Sequence, residues 1–322
     1  MLQYFLGADV GATKTEILVS DEQGNLLGHG RSGPGNHETV GYSGLTQALQ
    51  QAALSACSQA GTPLEKISGA GFGIAGYDWP CERQKTLAAI AAAGFNSPSS
   101  VVNDTVIGLV AGASHGWGIA LVSGTGCNCW GWNSGHTKFG RVVGRSSLSG
   151  EAAGSSELME EVMRAISYEW TSRGPHTALT QAVIRKTGAR DLTDLLEGYY
   201  NDFYKIDGSI APEVFRIAAE GDPVAKKIVE WAGNELAEIA NAVIRQLKFE
   251  ELSFEIILTG SMFNAGEQLL KPMRKSILSQ APHAVFKRLN VPPAVGAVIL
   301  GMESAGLNCT SEVRQKLGTG KF

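Results

Sequence analysis

Residues 2–15 hold the densest chemistry in the chain. Leu2-Gln-Tyr-Phe-Leu-Gly-Ala-Asp-Val-Gly-Ala-Thr-Lys-Thr15 runs an apolar strand into an acid, a glycine, two hydroxyls and a lysine. Gly11 permits backbone conformations that a side chain forbids, so the amides and hydroxyls of Thr13 and Thr15, with Lys14, can close on a phosphate while Asp9 faces a metal ion. A P-loop is the obvious rival, but it needs glycine directly before the lysine, and here Ala12 and Thr13 intervene. Ser123-Gly-Thr-Gly126 is a second turn of the same kind, formed by Gly124, Thr125 and Gly126. Two such turns facing each other form positively polarised cradles for a triphosphate, with Asp9 on a hydrated Mg2+ that takes only one or two carboxylates. Singly, each turn also reads as an ordinary hairpin.

Val101-Val-Asn-Asp104-Thr105 sets a carboxylate at a strand end just before an apolar helix. Two roles are open to Asp104. It can cap the helix, or it can accept the proton of a substrate hydroxyl during phosphoryl transfer, and open α/β sheets commonly bind ligands at such strand ends. Thr259-Gly260-Ser261 ends another apolar strand, and Gly260 leaves room for the flat face of a nucleobase. An ordinary strand-to-helix loop explains that turn equally well. Cys127-Asn-Cys129 lacks the two-residue spacer of a zinc ribbon and has no second Cys/His pair nearby, so packing is the expected role of both thiols.

The elements that must position these groups follow from periodicity. Strands at 17–20 and 26–30 flank the turn formers 21–25 and extend the first strand into an antiparallel meander. Helices are expected at 39–59, 82–93 and 105–113, and strands at 67–74 and 100–103. The same order then begins again with strands at 117–123, 127–132 and 137–143, which marks an internal duplication. A mostly helical insert spans 150–249 and ends in a long helix whose apolar stripe runs from Val224 to Leu247, with Asp222-Pro223 suited to its N-cap and first turn. Strand 254–258, helix 266–278, a short strand near 284–287 and helix 293–305 complete the second half. The boundary falls near 112–116.

At 322 residues the chain exceeds the usual size of a single core. Hydrophobic residues at 43% and charged residues at 18% match a soluble enzyme. Against 31 acidic residues stand 27 basic ones, without long basic runs, which argues against nonspecific binding to nucleic acid or an anionic membrane. The partner class expected is small molecules. The sequence shows neither a basic leader with an apolar h-region nor an apolar run of roughly 20 residues, so a cytoplasmic protein is expected. Five scattered cysteines fit reduced thiols rather than a disulfide framework.

Asp9-Val-Gly-Ala-Thr-Lys-Thr15, Gly73-Ile-Ala-Gly76, Asn103-Asp104, Ser123-Gly-Thr-Gly126 and Leu258-Thr-Gly260-Ser261, in that order, resemble the motifs of the sugar kinase, actin and heat-shock ATPase superfamily. Within it the chain resembles the N-acetylglucosamine kinase branch of the BadF/BadG/BcrA/BcrD ATPases, over nearly its whole length. The resemblance implies an α/β fold of two ribonuclease-H-like (actin-like ATPase) domains with a central cleft. They would cover residues 1–113 and 114–322, the second carrying the helical insert and a last helix that packs back on the first. It implies ATP in the cleft, an adenosine contact at Gly260, a base at Asp104, and sugar contacts at Asn36, Gly76, Asn103, Asn128 and Glu151. The family's Gly-Trp-Gly-His and Gly-Asp-Glu-Gly runs are replaced by Phe139-Gly-Arg-Val-Val-Gly-Arg145 and Gly150-Glu-Ala-Ala-Gly154. A homodimer is expected from family likeness alone.

The function expected is ATP- and Mg2+-dependent phosphorylation of an amino sugar of N-acetylglucosamine or glucosamine type. The alternative is an ATPase that activates a partner reductase, as some relatives do with an iron-sulfur cluster between subunits. Cys127 and Cys129 are too close in the chain to suit that role. A noncatalytic regulator is disfavoured by Asp104 and by the lack of a helix-turn-helix ahead of the first strand.

Overall fold

The computed structural model describes residues 2–320. Strands β1 (Tyr4–Val10), β2 (Thr15–Asp21) and β3 (Leu26–Ser32) form the expected meander, joined by β4 (Ile67–Ile74) and β5 (Ser99–Asn103). The sheet order is β3-β2-β1-β4-β5, with β4 and β5 parallel to β1. The second sheet holds β6 (Gly118–Ser123), β7 (Cys127–Trp132), β8 (Phe139–Arg141), β9 (Phe254–Thr259) and β10 (Ala284–Arg288) in the order β10-β9-β6-β7-β8. Numbered within each half, both sheets run 3-2-1-4-5 with the same pairing senses. The duplication expected from the strand order is present in the topology.

Strands covered on both faces read as apolar runs, and β1 alternates between two cores. Leu6, Ala8 and Val10 pack with Leu45, Leu49 and Ala52 of α1 (His37–Ala60) and with Ala89 and Ile90 of α2 (Arg83–Ala92). Phe5 faces the other way, onto α3 (Asp104–Gly112), whose Val106, Ile107 and Val110 are buried there. By the same alternation Asp9 belongs to that second face.

The insert contains α4 (Ser155–Trp170), α5 (Ala178–Thr187), α6 (Leu192–Tyr200), α7 (Ala211–Ala219) and α8 (Pro223–Leu247). Asp222 caps α8 by accepting from the N–H groups of Val224 and Ala225, and the buried stripe of α8 forms one core with β6, β9 and α9 (Glu267–Gln280). Helix α10 (Pro293–Ser304) crosses back to lie on β1, β4 and α3 of the first half. Helix α11 (Ser311–Thr319), which periodicity did not mark, packs Val313 and Leu317 against the β2–β3 turn at Gly24. Most other boundaries shift by a residue or two; the strand expected at 137–143 shortens to Phe139–Arg141. Among the described residues no helix is long and apolar enough to cross a membrane.

The contact between α10 and α3 depends on Gly296. A β-carbon there would lie 1.9 Å from the Ile107 carbonyl oxygen, a backbone atom that cannot give way locally. Gly296→Ala is expected to lower stability by about 3 kcal/mol, read as a shift in the denaturant midpoint. Gly33→Ala, in open space, should change it by less than ~0.5 kcal/mol. Equal midpoints for the two variants would contradict the packing described.

Candidate active site

The acidic floor comes from neighbouring strand ends. Asp9 lies opposite Glu16 on β2 and Gly73 on β4, and Ile74 of β4 lies opposite Asn103 of β5, so Asp104 begins α3 with only β4 between its strand and that of Asp9. Asn103 is the residue that caps α3: its Oδ1 accepts from the Thr105 N–H at 2.9 Å. The capping role open to Asp104 is thus taken by its neighbour. Burial pushes the Asp104 carboxyl up to about 6, against the opposing pull of the Thr105 N–H and its own. Burial, followed by the negative charges of Asp104 and Glu16, pushes Asp9 up to about 7, while Lys14 pulls it down. The charge of Asp104 thus adds to the rise at Asp9, whereas the rise at Asp104 itself comes from burial.

The first turn is closed by the Gly11 N–H on the Lys14 carbonyl (2.8 Å) and tied to the entry of α1 by the Gly35 N–H on the Gly11 carbonyl (3.1 Å). Thr13 is exposed, and the Lys14 ammonium rests on Glu16 at 2.6 Å. Thr15 departs from expectation. It is fully buried, its hydroxyl has no partner, and it points under Gly35 rather than toward the turn. In the second turn the Gly124 and Thr125 carbonyls accept from the first amides of α4, at Ser155 (2.8 Å) and Ser156 (3.0 Å). The Gly124 N–H is spent on the Gly126 carbonyl (2.9 Å), so what that turn offers a ligand is the N–H groups after it and the Thr125 hydroxyl.

Gly260 brings the third turn onto the second. With φ at +109°, its missing β-carbon would stand 2.1 Å from the Ser123 carbonyl oxygen and 3.1 Å from the Gly124 nitrogen. Arg288 fixes that turn by donating to the Gly260 carbonyl (2.6 Å) and Asn264 Oδ1 (3.0 Å). Ser261 and Met262 then line, with Thr125, Ser155, Pro212 and Phe215, a pocket of about 570 Å3 between the turns and the insert. Thr125 and Ser261, far apart in sequence, meet there.

The remaining expected contacts are spread along the facing wall. Asn36 caps α1 by accepting from the Glu38 N–H, and its Oδ1 lies 2.6 Å from the position a Gly76 β-carbon would take. Asn103 Nδ2 donates to Asp78 Oδ1 at 3.0 Å. From the second half, Asn128 Nδ2 and both Asp78 oxygens lie within 3.9 Å of where a Gly144 β-carbon would stand, so the two halves meet at that point. Glu151 is buried, and its carboxylate accepts from the N–H groups of Val143, Gly144 and Arg145 and from Ser149 Oγ. It shapes the loop that carries Gly144 rather than presenting an open carboxylate to the cleft.

Two residues here escaped the sequence. Asp78 is pushed up to about 6 by burial, with Arg141 opposing and with Asp104, Glu82 and Glu38 adding to the rise. Arg141 of β8 reaches across the cleft to Asp78 (3.9 Å) and stacks over the rings of Trp79 and Trp130. The Gly73–Gly76 motif could have drawn attention to Asp78, two residues on; nothing local in sequence links it to Arg141. The thiols of Cys127 and Cys129 are buried and pushed up, Cys127 to about 11, which opposes thiolate ligation of a cluster. Among the described residues no group of three or more His, Cys, Asp or Glu side chains could hold a metal ion by itself.

The sequence profile of the BadF/BadG/BcrA/BcrD ATPase family matches residues 6–301. The chain belongs to that family. An N-acetyl-D-glucosamine kinase of Dictyostelium discoideum is 24% identical over 317 residues, covering 94% of this chain and 98% of its own. An N-acetylmuramic acid/N-acetylglucosamine kinase of Clostridium acetobutylicum is 25% identical over 301 residues, covering 93% and 98%. The solved structure of a candidate N-acetylglucosamine kinase from Chromobacterium violaceum superposes with a TM-score of 0.68 at 23% identity, over 92% of this chain and 98% of that one. It shares the two-domain sugar-kinase fold.

In this ATPase the carboxyls of Asp9, Asp78 and Asp104 keep protons when folded that they release when unfolded, between about pH 4 and pH 7. The folded state binds more protons in that window, so these groups make stability fall as pH rises through it. Asp9→Asn is expected to flatten the fall and to exceed the parent by about 1–3 kcal/mol at pH 8 without ligand, measured by denaturant unfolding. A variant less stable than the parent at pH 8 would refute the strained acidic floor.

Proposed function

We propose that the chain is an ATP-dependent kinase that transfers the γ-phosphoryl group to a hydroxyl of an amino sugar. The observation that carries the reading is Asp104: it stands at the end of β5 beside Asp9, and Asn103 has relieved it of the capping role. A carboxyl near 6 is mostly ionised at neutral pH and basic enough to accept a proton, which suits a general base. The kinases of Dictyostelium and Clostridium, named for N-acetylglucosamine and N-acetylmuramic acid, support amino sugars as the substrate class.

The two glycine turns are the proposed phosphate cradles, with Gly11, Thr13 and Lys14 on one side and Gly124, Thr125 and Gly126 on the other. The pocket beside Gly260 and Ser261 is the proposed adenosine site. Asp9 suits Mg2+ because among the described residues no side chain is ion-paired with its carboxyl and because that ion needs few protein carboxylates when phosphates and water complete its shell. When bound, Mg2+ would neutralise phosphate charge. Asn36, Gly76, Asn103 and Asn128 lie along the wall where the sugar would be held against Asp104. Closure of the halves would exclude water and limit wasteful hydrolysis. We place the reaction in the cytoplasm, in keeping with ATP use and free thiols, and take a homodimer as the working assembly.

Asp104→Asn should lower kcat by about 10²- to 10⁴-fold while ATP binding stays within roughly threefold. The parent's kcat/KM should fall on the acid side with an apparent pKa of about 6. Coupled ADP release with an amino-sugar panel reads both, and unimpaired turnover by Asp104→Asn would remove the assignment.

A further inference from the structure

We infer that Asp78 is a specificity-determining residue of the sugar subsite, its carboxylate receiving the ammonium group of a sugar whose amine is free rather than acylated. This rests on the amino-sugar kinase reading and narrows it.

Asp78 sits where the two halves meet. Its Oδ1 accepts from Asn103 Nδ2, which ties it to the segment carrying Asp104. Among the described residues no donor bonds its Oδ2. Its side chain keeps 14% exposure, and its oxygens lie 3.8 and 3.9 Å from where a Gly144 β-carbon would stand, close to the Asn128 amide.

Charge points the same way. The carboxylates of Asp104, Glu82 and Glu38 face Asp78, whereas the cation facing it is Arg141, held at 3.9 Å and shared with two indole faces. Glu82 is itself engaged, its Oε2 accepting from the N–H groups of Asp78 and Trp79 and its Oε1 lying 3.6 Å from His37. The wall carries more negative than positive charge. A ligand ammonium restores the balance, a hydroxyl or acetamide does not, and a carboxylate worsens it.

The test compares kcat/KM for glucosamine, glucose and N-acetylglucosamine at pH 7 in the parent and in Asp78→Asn. Asparagine keeps an acceptor oxygen for Asn103, so the α3 cap survives. The parent should favour glucosamine over both others by at least about tenfold, and Asp78→Asn should reduce the glucosamine-to-glucose ratio by about tenfold with the KM for ATP within threefold. Structural damage alone would lower all three sugars together. Preference for N-acetylglucosamine in the parent, or an unchanged ratio in the variant, overturns the assignment and leaves the kinase reading intact. If the parent phosphorylates no sugar, the kinase reading itself falls.

Discussion

Asp9 and Asp104 are held close together, largely buried, at the ends of strands separated by one neighbour. Among the described residues neither carboxylate is ion-paired: Lys14, whose charge pulls Asp9 down, rests on Glu16, and Arg141 lies by Asp78. The folded chain therefore stores electrostatic strain at one point, which a bound cation or a transferred proton relieves. Buried acids with raised proton affinity cluster at functional sites because their charge is balanced by what binds there. The sheets, the glycine contacts and the caps all serve to hold that point in place.

The duplicated topology explains why the strain sits in a cleft. Each half ends its first strand in a glycine turn, and the pairing of like strands puts both turns at the carboxyl ends of their sheets. Gly260 lets the third turn lie on the second, and α10 and α11, late in the chain, return to cover the first half. Arg141 then links the halves through Asp78, which also holds Asn103 beside Asp104. The proposed sugar wall and the segment that carries the proposed base are thereby joined by a hydrogen bond.

Much of this was legible in sequence because the information is local. A glycine and a hydroxyl directly after an apolar strand mark a turn, and a repeated strand order marks a duplication. Thr15 was misplaced, although the signal was there: it shares strand alternation with Ile17 and Val19, both fully buried, so period two alone sends its hydroxyl inward. Helix α11 was missed because only Leu317 is buried along a short, charged segment. Glu151 was expected as a sugar contact, and its loop-binding role had no sequence signal, since its four donors come together only when the loop from 143 to 149 closes around it. Asp78 and Arg141 lie 63 positions apart and meet across the cleft, a tertiary contact with no periodic trace.

The central claim, a shared acidic floor awaiting a cation, is most directly tested by following the carboxyl carbon of Asp9 during a pH titration by nuclear magnetic resonance. In the free protein its midpoint is expected at about 7, falling toward the ordinary ~3.9 when Mg2+ and a nonhydrolysable ATP analogue are added. A midpoint already near ~4 in the free protein, unmoved by the ligands, would contradict the account.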